Sequence, residues 1–444
     1  MIGPAFTDYI EHSEAVLTAV LSGCDPRRLT LEGLARASIG SQRVHLLAIG
    51  KASVPMTLAA GDFLGQRIAF GIATTTGHLA RPAGFPATVG LMAVDHPLPT
   101  QRNLDASVAI KYVAEDFGRC AAAGHEGLLL VLISGGGSAH LALPAGHLTL
   151  EDLVQTTDLL MRSGCTINQI NCVRKHIEQL KGGRLAALAH PGKILCLVLS
   201  DVVRDPLDVI SSGPCVPDPS TYAQALEILD AQGLTPRLPA VRQHLIDGRD
   251  GVIPETPKDR DPALANVRTR IIGNNTSAVD AAVKALITMG FQIAEQRAGV
   301  TGEARLLGAE LATAAVELAK TKSPAPRAIV WGGESTVTVR GDGVGGRNQE
   351  LALSAAVVLD GHPNIAVFSF ATDGVDGPTD AAGALVTGAT CTAAAIGGLR
   401  PQPALLNNDS HTLLTALEAL GHRALFRTGP TGTNVADLAV ALVY

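Results

Sequence analysis

The residues best suited to chemistry lie in loops that directly follow short apolar runs. In "LLAIGKAS", Gly50 and Lys51 close such a run and open a helical pattern. A helix N-terminus offers unpaired N–H groups and a positive dipole end, so a lysine there makes an anion site. An exposed lysine in an ordinary turn is the plainer reading. In "LLLVLISGGGSAHL", Gly135, Gly136 and Gly137 stand between Ser134 and Ser138. Consecutive glycines let the backbone approach a ligand, and amides flanked by hydroxyls can cradle phosphate oxygens. An anion-binding loop is therefore expected over 134–138. No G-x-x-x-x-G-K-[ST] occurs, which excludes a standard P-loop.

Acidic residues recur in the same kind of place. "LVLSDVVRDPLDVISSGP" puts Asp201, Asp205 and Asp208 after an apolar run, and "SFATDGVDGPTDAAGA" does so with Asp373, Asp376 and Asp380. Mg²⁺ favours one or two carboxylates plus substrate phosphates, while capping and turn formation would use the same residues. "INCVRKHIEQLKGGRLA" gathers Arg174, Lys175, His176, Lys181 and Arg184. Such a face is either solvated or a source of positive charge beside a phosphate loop; a lone His176 reads as structural.

Gly341, Gly343 and Gly346 in "TVTVRGDGVGGRNQE" spell G-x-G-x-x-G, the dinucleotide pattern, with Asp360 at the expected distance. Placement argues against it. The run 335–339 alternates and is half polar, which suits an antiparallel or edge strand. Asp360 falls at the end of the following helix, before the strand 365–370, and so on the wrong side to reach a ribose. The glycines instead shape a loop that presents Arg347, whose forked donors match a carboxylate or phosphate. Behind it, Asn348, Gln349 and Glu350 form a polar helix start fitted to a ligand or metal.

The elements that must position these loops alternate strand and helix. Strands are expected at 44–49, 68–74, 89–94, 128–133 and 194–199, with helices at 102–122, 150–163 and 168–181. The spacing implies βαβ units and a mainly parallel sheet. A proline- and charge-rich stretch after Leu234 marks the domain boundary. Alternation then resumes with strands at 267–272, 292–294, 328–331 and 365–370 and helices from 276, over 303–320 and around 405–420. A chain of 444 residues exceeds one ordinary core, so two α/β domains are expected, with ligands in the cleft between them. The net charge of -6 argues against a general nucleic-acid binder, which would show a basic face. Seven scattered cysteines without C-x-x-C read as reduced thiols. The N-terminal stretch lacks a signal-peptide pattern and no apolar run approaches a membrane span. A cytoplasmic enzyme with small-molecule partners, no nucleic acid and no membrane is the expectation; a homodimer is compatible with it.

With "GKAS", "DHPLPT", "SGGGSA", "KGGRLA", "SDVVRDPLDVI", "GNN", "GGRNQEL", "ATDGVDGPTDAAGA", "NDSHT" and "TGPTGTNVADL" in this order, the chain resembles the glycerate 2-kinase family. These are two-domain kinases with a C-terminal MOFRL domain, and members are often labelled hydroxypyruvate reductase. The resemblance implies an α/β fold with a Rossmann-like N-terminal α/β/α sandwich over 1–240, a connector at 241–265 and a smaller C-terminal domain with a mixed sheet over 266–444. The MOFRL region would span about 325–440 of that domain. It implies ATP and Mg²⁺ as cofactors and phosphorylation of D-glycerate at the 2-hydroxyl. Lys51 and Arg347 take the catalytic positions facing the interdomain cleft. Ser134 to Ser138 with Asn274 would bind nucleotide phosphates, Arg174, Lys181 and Arg347 the substrate, and Asp201, Asp205 and Asp373 the metal. Arg204 stands where the family usually has glycine, and His140, Cys215 and His411 also depart from its motifs. An NAD(P)H-dependent reductase and a non-catalytic sugar-acid binder are the alternatives.

Overall fold

The computed structural model describes residues 6–77 and 81–444. Two compact units emerge: Pro26–Ile272, and Gly273–Tyr444 together with the described residues up to Asp25.

In the unit Pro26–Ile272, one sheet contains β1 (Arg43–Ile49), β2 (Ile68–Thr75), β3 (Val89–Ala93), β4 (Gly127–Ile133), β5 (Lys193–Leu199) and β6 (Val267–Gly273). Their order is β3-β2-β1-β4-β5-β6, and the neighbours from β3 to β5 are parallel. The reason lies in the sequences: β4 is "GLLLVLI" and β5 "KILCLVL", apolar without alternation, as strands covered on both faces must be. Ile110, Val113 and Phe117 of the helix Gln101–Ala122 pack onto Leu129 and Val131 of β4. In this topology β1 is followed by β2 on one side and flanked by β4 on the other. Ligands bind such sheets at the carboxyl ends of the strands where the order reverses.

The helix expected over 168–181 ends at His176. The buried Glu178 carboxylate accepts the N–H groups of Leu143, Leu180 and Lys181, so the last two cannot continue a helical ladder. The expected connector is also different. The helix Pro239–Arg249 overlaps its start and buries Val241, His244 and Leu245, and Val241 and Leu245 join Tyr222 and Leu226 in a core of this unit. Proline prohibits little at a first helical position, and the charges on this stretch lie on its outer face.

Beyond that helix, the Glu255 carboxylate lies 3.0 Å from His176 Nε2 and accepts the Thr256 and Tyr222 N–H groups. Burial acts to raise the Glu255 pKa, but these hydrogen bonds outweigh it and hold it at about 2. A depressed carboxylate stabilises the fold above its unfolded pKa of 4.5 and loses that contribution as pH falls towards about 2. Glu255→Gln is therefore expected to flatten the acid limb of stability between those values, read by circular dichroism along a pH series.

The second unit holds β7 (Gln292–Glu303), β8 (Arg327–Thr336), β9 (Ile365–Ala371), β10 (Gly383–Thr387), β11 (Leu425–Phe426) and β12 (Asp437–Val443), ordered β11-β10-β9-β12-β8-β7. β7 and β8 are parallel and the remaining pairs antiparallel, which makes the sheet mixed. The first long helix, Phe6–Gly23, belongs here rather than with the N-terminal sheet. Tyr9 Oη donates to Pro363 O at 2.6 Å, and His12 meets the Tyr444 hydroxyl at 2.6 Å. β8 lies inside the sheet and stops at Thr336, so the half-polar run 335–339 is mostly loop rather than an edge strand. The expected helix around 405–420 is interrupted. Asn407, Asn408 and Asp409 separate Pro401–Leu406 from Ser410–Ala419, because they spend their polar groups on the glycine loop described below.

Candidate functional site

The loops after β1 and β4 form one structure. Lys51 N–H donates to Gly135 O at 2.8 Å, Ser134 N–H to Ile49 O at 3.0 Å, and Ala52 N–H to Ser134 Oγ at 2.9 Å. Gly136 has φ 81°, left-handed backbone that side chains avoid, and this turn launches the short helix Gly137–His140. A Cβ on Gly136 would lie 3.3 Å from both Lys51 Cγ and His96 Cδ2, so the lysine and the histidine flank the glycine run. Lys51 itself is exposed. The glycine run, a lysine and the carboxyl ends of two parallel strands thus converge at the reversal point of the sheet, an arrangement suited to phosphate oxygens.

Around this core the other predicted residues of the unit assemble. Arg174 Nη2 donates to Ser138 O at 2.7 Å, and Ser138 Oγ lies 2.8 Å from Ser212 Oγ. Ser211 and Ser212 are buried at φ 52° and 59°, strained for residues with side chains. Burial pulls the Arg174 guanidinium below its usual value. Lys181, also buried, donates from Nζ to Leu141 O and pairs with Glu178 Oε1 at 3.6 Å. Burial is the main cause that lowers its pKa to about 8, with Glu178 opposing. Both cations border a cavity of about 280 Å³ that also touches Gly136, Ser138 and His96.

His96 and His140 were not expected here. His96 follows β3 as Lys51 follows β1, so strand-end position was the available signal. His140 Nδ1 lies 3.2 Å from Gly50 N and 2.7 Å from Thr74 Oγ1. An amide can only donate, so Nδ1 is the acceptor and the ring proton sits on Nε2. Burial is the main cause that holds His140 near a pKa of about 3, with His96 and Lys51 adding to it. The residue is a neutral buttress of the Gly50 turn.

Asp201 stands at the end of β5 against the glycine run: a Cβ on Gly135 would meet its Oδ2 at 2.2 Å. Asp205 follows on the same loop, whereas Asp208 pairs with the buried Lys175 at 3.2 Å. Arg204 and Asp205 both adopt left-handed backbone, φ 67° and 54°. Glycine is the residue that takes this conformation freely, and Arg204 is exposed. Arg204→Gly is expected to raise stability by about 1 kcal/mol, seen as a higher denaturant midpoint at unchanged slope.

The remaining predicted residues belong to the other unit. Asn274 caps the helix Asn275–Thr288 through Ser277 N–H at 3.1 Å, and Asp373 Oδ1 accepts Val375 N–H at 3.1 Å within its own turn. Arg347 is bidentate to Asp437, 2.5 Å from Nε and 2.8 Å from Nη2, and its Nη1 lies 3.2 Å from Glu334. Its side chain is 33% exposed, and the two carboxylates hold its pKa above the usual value against burial. Burial pushes the Asp437 carboxyl up to about 6, with Arg347 opposing.

The polar helix start beside Arg347 faces inward. Asn348 and Gln349 donate both backbone N–H and side-chain amide groups to the buried Asp376, and Glu350 Oε2 accepts Asn408 Nδ2 at 2.9 Å. These residues are internal scaffold, not ligand contacts as their sequence suggested. Asp376 occupies the helix N-terminus where a dinucleotide would put its phosphate, and a Cβ on Gly346 would stand 2.3 Å from the Asp376 carboxyl carbon. Gly341 and Gly343 make similarly close approaches to Asn407 and Asp409. The G-x-G-x-x-G spacing serves this packing.

Among the described residues no group of three or more His, Cys, Asp or Glu side chains forms a metal cage. Mg²⁺ at a phosphate site needs only one or two carboxylates, the substrate and water supplying the rest. Asp201 against the glycine run fits that requirement.

Comparison with known proteins gives the family. The family described as "Domain of unknown function (DUF4147)" matches residues 12–246, and the MOFRL family matches 327–437. The chain is 38% identical to a D-glycerate 2-kinase of Thermotoga maritima, over 94% of each chain. It is 35% identical to a putative hydroxypyruvate reductase of Agrobacterium vitis, over 96% of this chain and 93% of the relative. The crystal structure of a glycerate kinase from Thermotoga maritima superposes with a TM-score of 0.86 at 36% identity, covering 98% of this chain and 99% of the other. The chain belongs to the glycerate kinase family that joins a DUF4147 domain to a MOFRL domain.

Proposed function

We propose that this protein is a glycerate 2-kinase, transferring the γ-phosphoryl group of ATP to the 2-hydroxyl of D-glycerate and releasing ADP and 2-phosphoglycerate. The observation that carries the reading is the joined loop pair after β1 and β4, which sets Lys51 beside the glycine run 135–137. In the reaction the C2 hydroxyl oxygen bonds to the γ-phosphorus, the bond from that phosphorus to the bridging oxygen breaks with ADP leaving, and the hydroxyl proton passes to solvent. Enzymes of this kind work chiefly by positioning and charge stabilisation. The 135–138 amides orient the phosphates, and Lys51 balances charge on their oxygens. His140 holds the Gly50 turn in register and stays neutral. Arg347, in the other unit, keeps Nη1 for a carboxylate or phosphate oxygen in exchange for Glu334. A Mg²⁺ ion, when bound, neutralises phosphate charge, and Asp201 with Asp205 on the same loop would hold it. The substrates, ATP and a small hydroxy acid, fit a cytoplasmic enzyme.

The reductase reading loses its support because Asp376 fills the anion position that the glycine motif would otherwise supply. Purified protein with ATP, Mg²⁺ and D-glycerate is expected to release ADP and yield 2-phosphoglycerate, identified by phosphorus NMR. A 3-phosphate product, or NAD(P)H oxidation with hydroxypyruvate and no ADP release, overturns the assignment.

A further inference from the structure

The cavity of about 280 Å³ beside the glycine run has walls that differ from its floor. Leu98, Leu141, Leu153, Met161 and Ile177 make it largely apolar, whereas Arg174 and Lys181 supply charge at one side. Gly136 and Ser138 border it, so it opens directly beside the proposed phosphate position. Glycerate is a poor match for such a space. Four of its seven heavy atoms are oxygens, and an apolar wall would strip their water without replacing the hydrogen bonds. A nucleobase has two apolar faces and a polar edge, the combination that small-molecule pockets of about 300 Å³ and upward recognise.

From this juxtaposition we propose that the cavity is the nucleoside subsite of the phosphoryl donor, a purine lying between the Leu98 and Leu153 walls with its phosphates running to Ser134–Ser138. The proposal rests on the kinase reading and assigns the donor, not glycerate, to this space. The polar groups also restrict which base edge fits. Glu178 already accepts N–H groups from Leu143, Leu180 and Lys181, while Ser138 O and Leu141 O are taken by Arg174 and Lys181. Each of these acceptors keeps a lone pair for the amino group of adenine, and the cationic donors Arg174 and Lys181 meet its ring-nitrogen acceptors. Arg174 and Lys181 thus recognise the donor's base, a role different from the glycerate contact that their sequence context implied.

Calorimetric titration of the full chain separates the possibilities. Thr157 lines the cavity, and Met161 is half exposed at its rim, so Thr157→Phe and Met161→Trp fill it from two positions. Each is expected to weaken MgATP binding by about tenfold, the effect of overpacking one contact surface. Binding of inorganic tripolyphosphate, which has the phosphates without the nucleoside, and of D-glycerate should stay at the wild-type level. Weakened glycerate binding with ATP unaffected would give the cavity to the acceptor and overturn the proposal, as would no change for either ligand. Equal losses for ATP and tripolyphosphate would also overturn it, since the phosphates alone would then explain the effect. If Thr157→Phe does not fold by circular dichroism, the rim variant Met161→Trp carries the test. Failure of the kinase reading is seen separately, as absent phosphoglycerate from wild-type protein that still binds ATP.

Discussion

Lys51→Ala is expected to lower turnover by about a hundredfold while leaving the unfolding midpoint unchanged. The two halves of this result have different origins. The lysine side chain is exposed, and the fold uses only its backbone N–H, which reaches Gly135 O and survives the substitution. In the proposed reaction the ammonium balances phosphate charge that grows or shifts in the transition state. Losing such a group lowers kcat and kcat/KM together, because the interaction is strongest where the charge is greatest. Steady-state kinetics with thermal denaturation on the same preparation checks both halves. A kcat close to wild type would remove Lys51 from the mechanism and with it the site after β1.

The second large effect is expected at Arg347, and it is mixed. Arg347→Ala leaves the Asp437 carboxylate buried without its bidentate partner, and breaking a buried pair on one side costs about 3 kcal/mol. The cost depends on pH. Asp437 already titrates at about 6 in the fold against 3.8 for the free side chain, and without Arg347 its pKa rises further. A raised acid favours the folded state at low pH, and this contribution is lost as pH rises through the folded value. The variant is therefore expected to be closer to wild-type stability at pH 5 than at pH 8. Arg347→Ala with Asp437→Asn removes the unpaired charge and should recover stability at pH 8. Turnover that stays depressed in the refolded double variant assigns Arg347 a role in the reaction. Recovery of turnover along with stability would make the arginine purely structural.

These two residues show how far a strand-end rule can be taken. Lys51, Ser134–Ser138 and Asp201 each directly follow an uninterrupted apolar run, and the fold does bring them together. Parallel strands share a direction, so loops after neighbouring strands must emerge at the same edge. The rule needs only local sequence and applies equally to His96. It says nothing of Arg347, Asn348, Gln349 and Glu350, which look like a ligand set when written in a row although the last three are buried. Their partners, Asp437, Asp376, Ser369, His411 and Asn408, come from distant segments that no local pattern connects to them.

The boundaries divide in the same way. Continuous hydrophobic runs place β1, β4 and β5 closely, and threonine caps place helix starts, since both signals lie within a few residues. The attachment of the helix Phe6–Gly23 to the C-terminal unit and the burial of Pro239–Arg249 depend on contacts far along the chain.

The sequence alone thus determines the α/β class, the glycine- and serine-rich loop after β4 and the exclusion of a P-loop, because each rests on residue type and short-range spacing. Only the tertiary structure decides what the glycines of 341–346 are for. Their motif leaves the space beside a helix N-terminus open to either a phosphate or a carboxylate, and Asp376, thirty residues beyond Gly346, reaches it first.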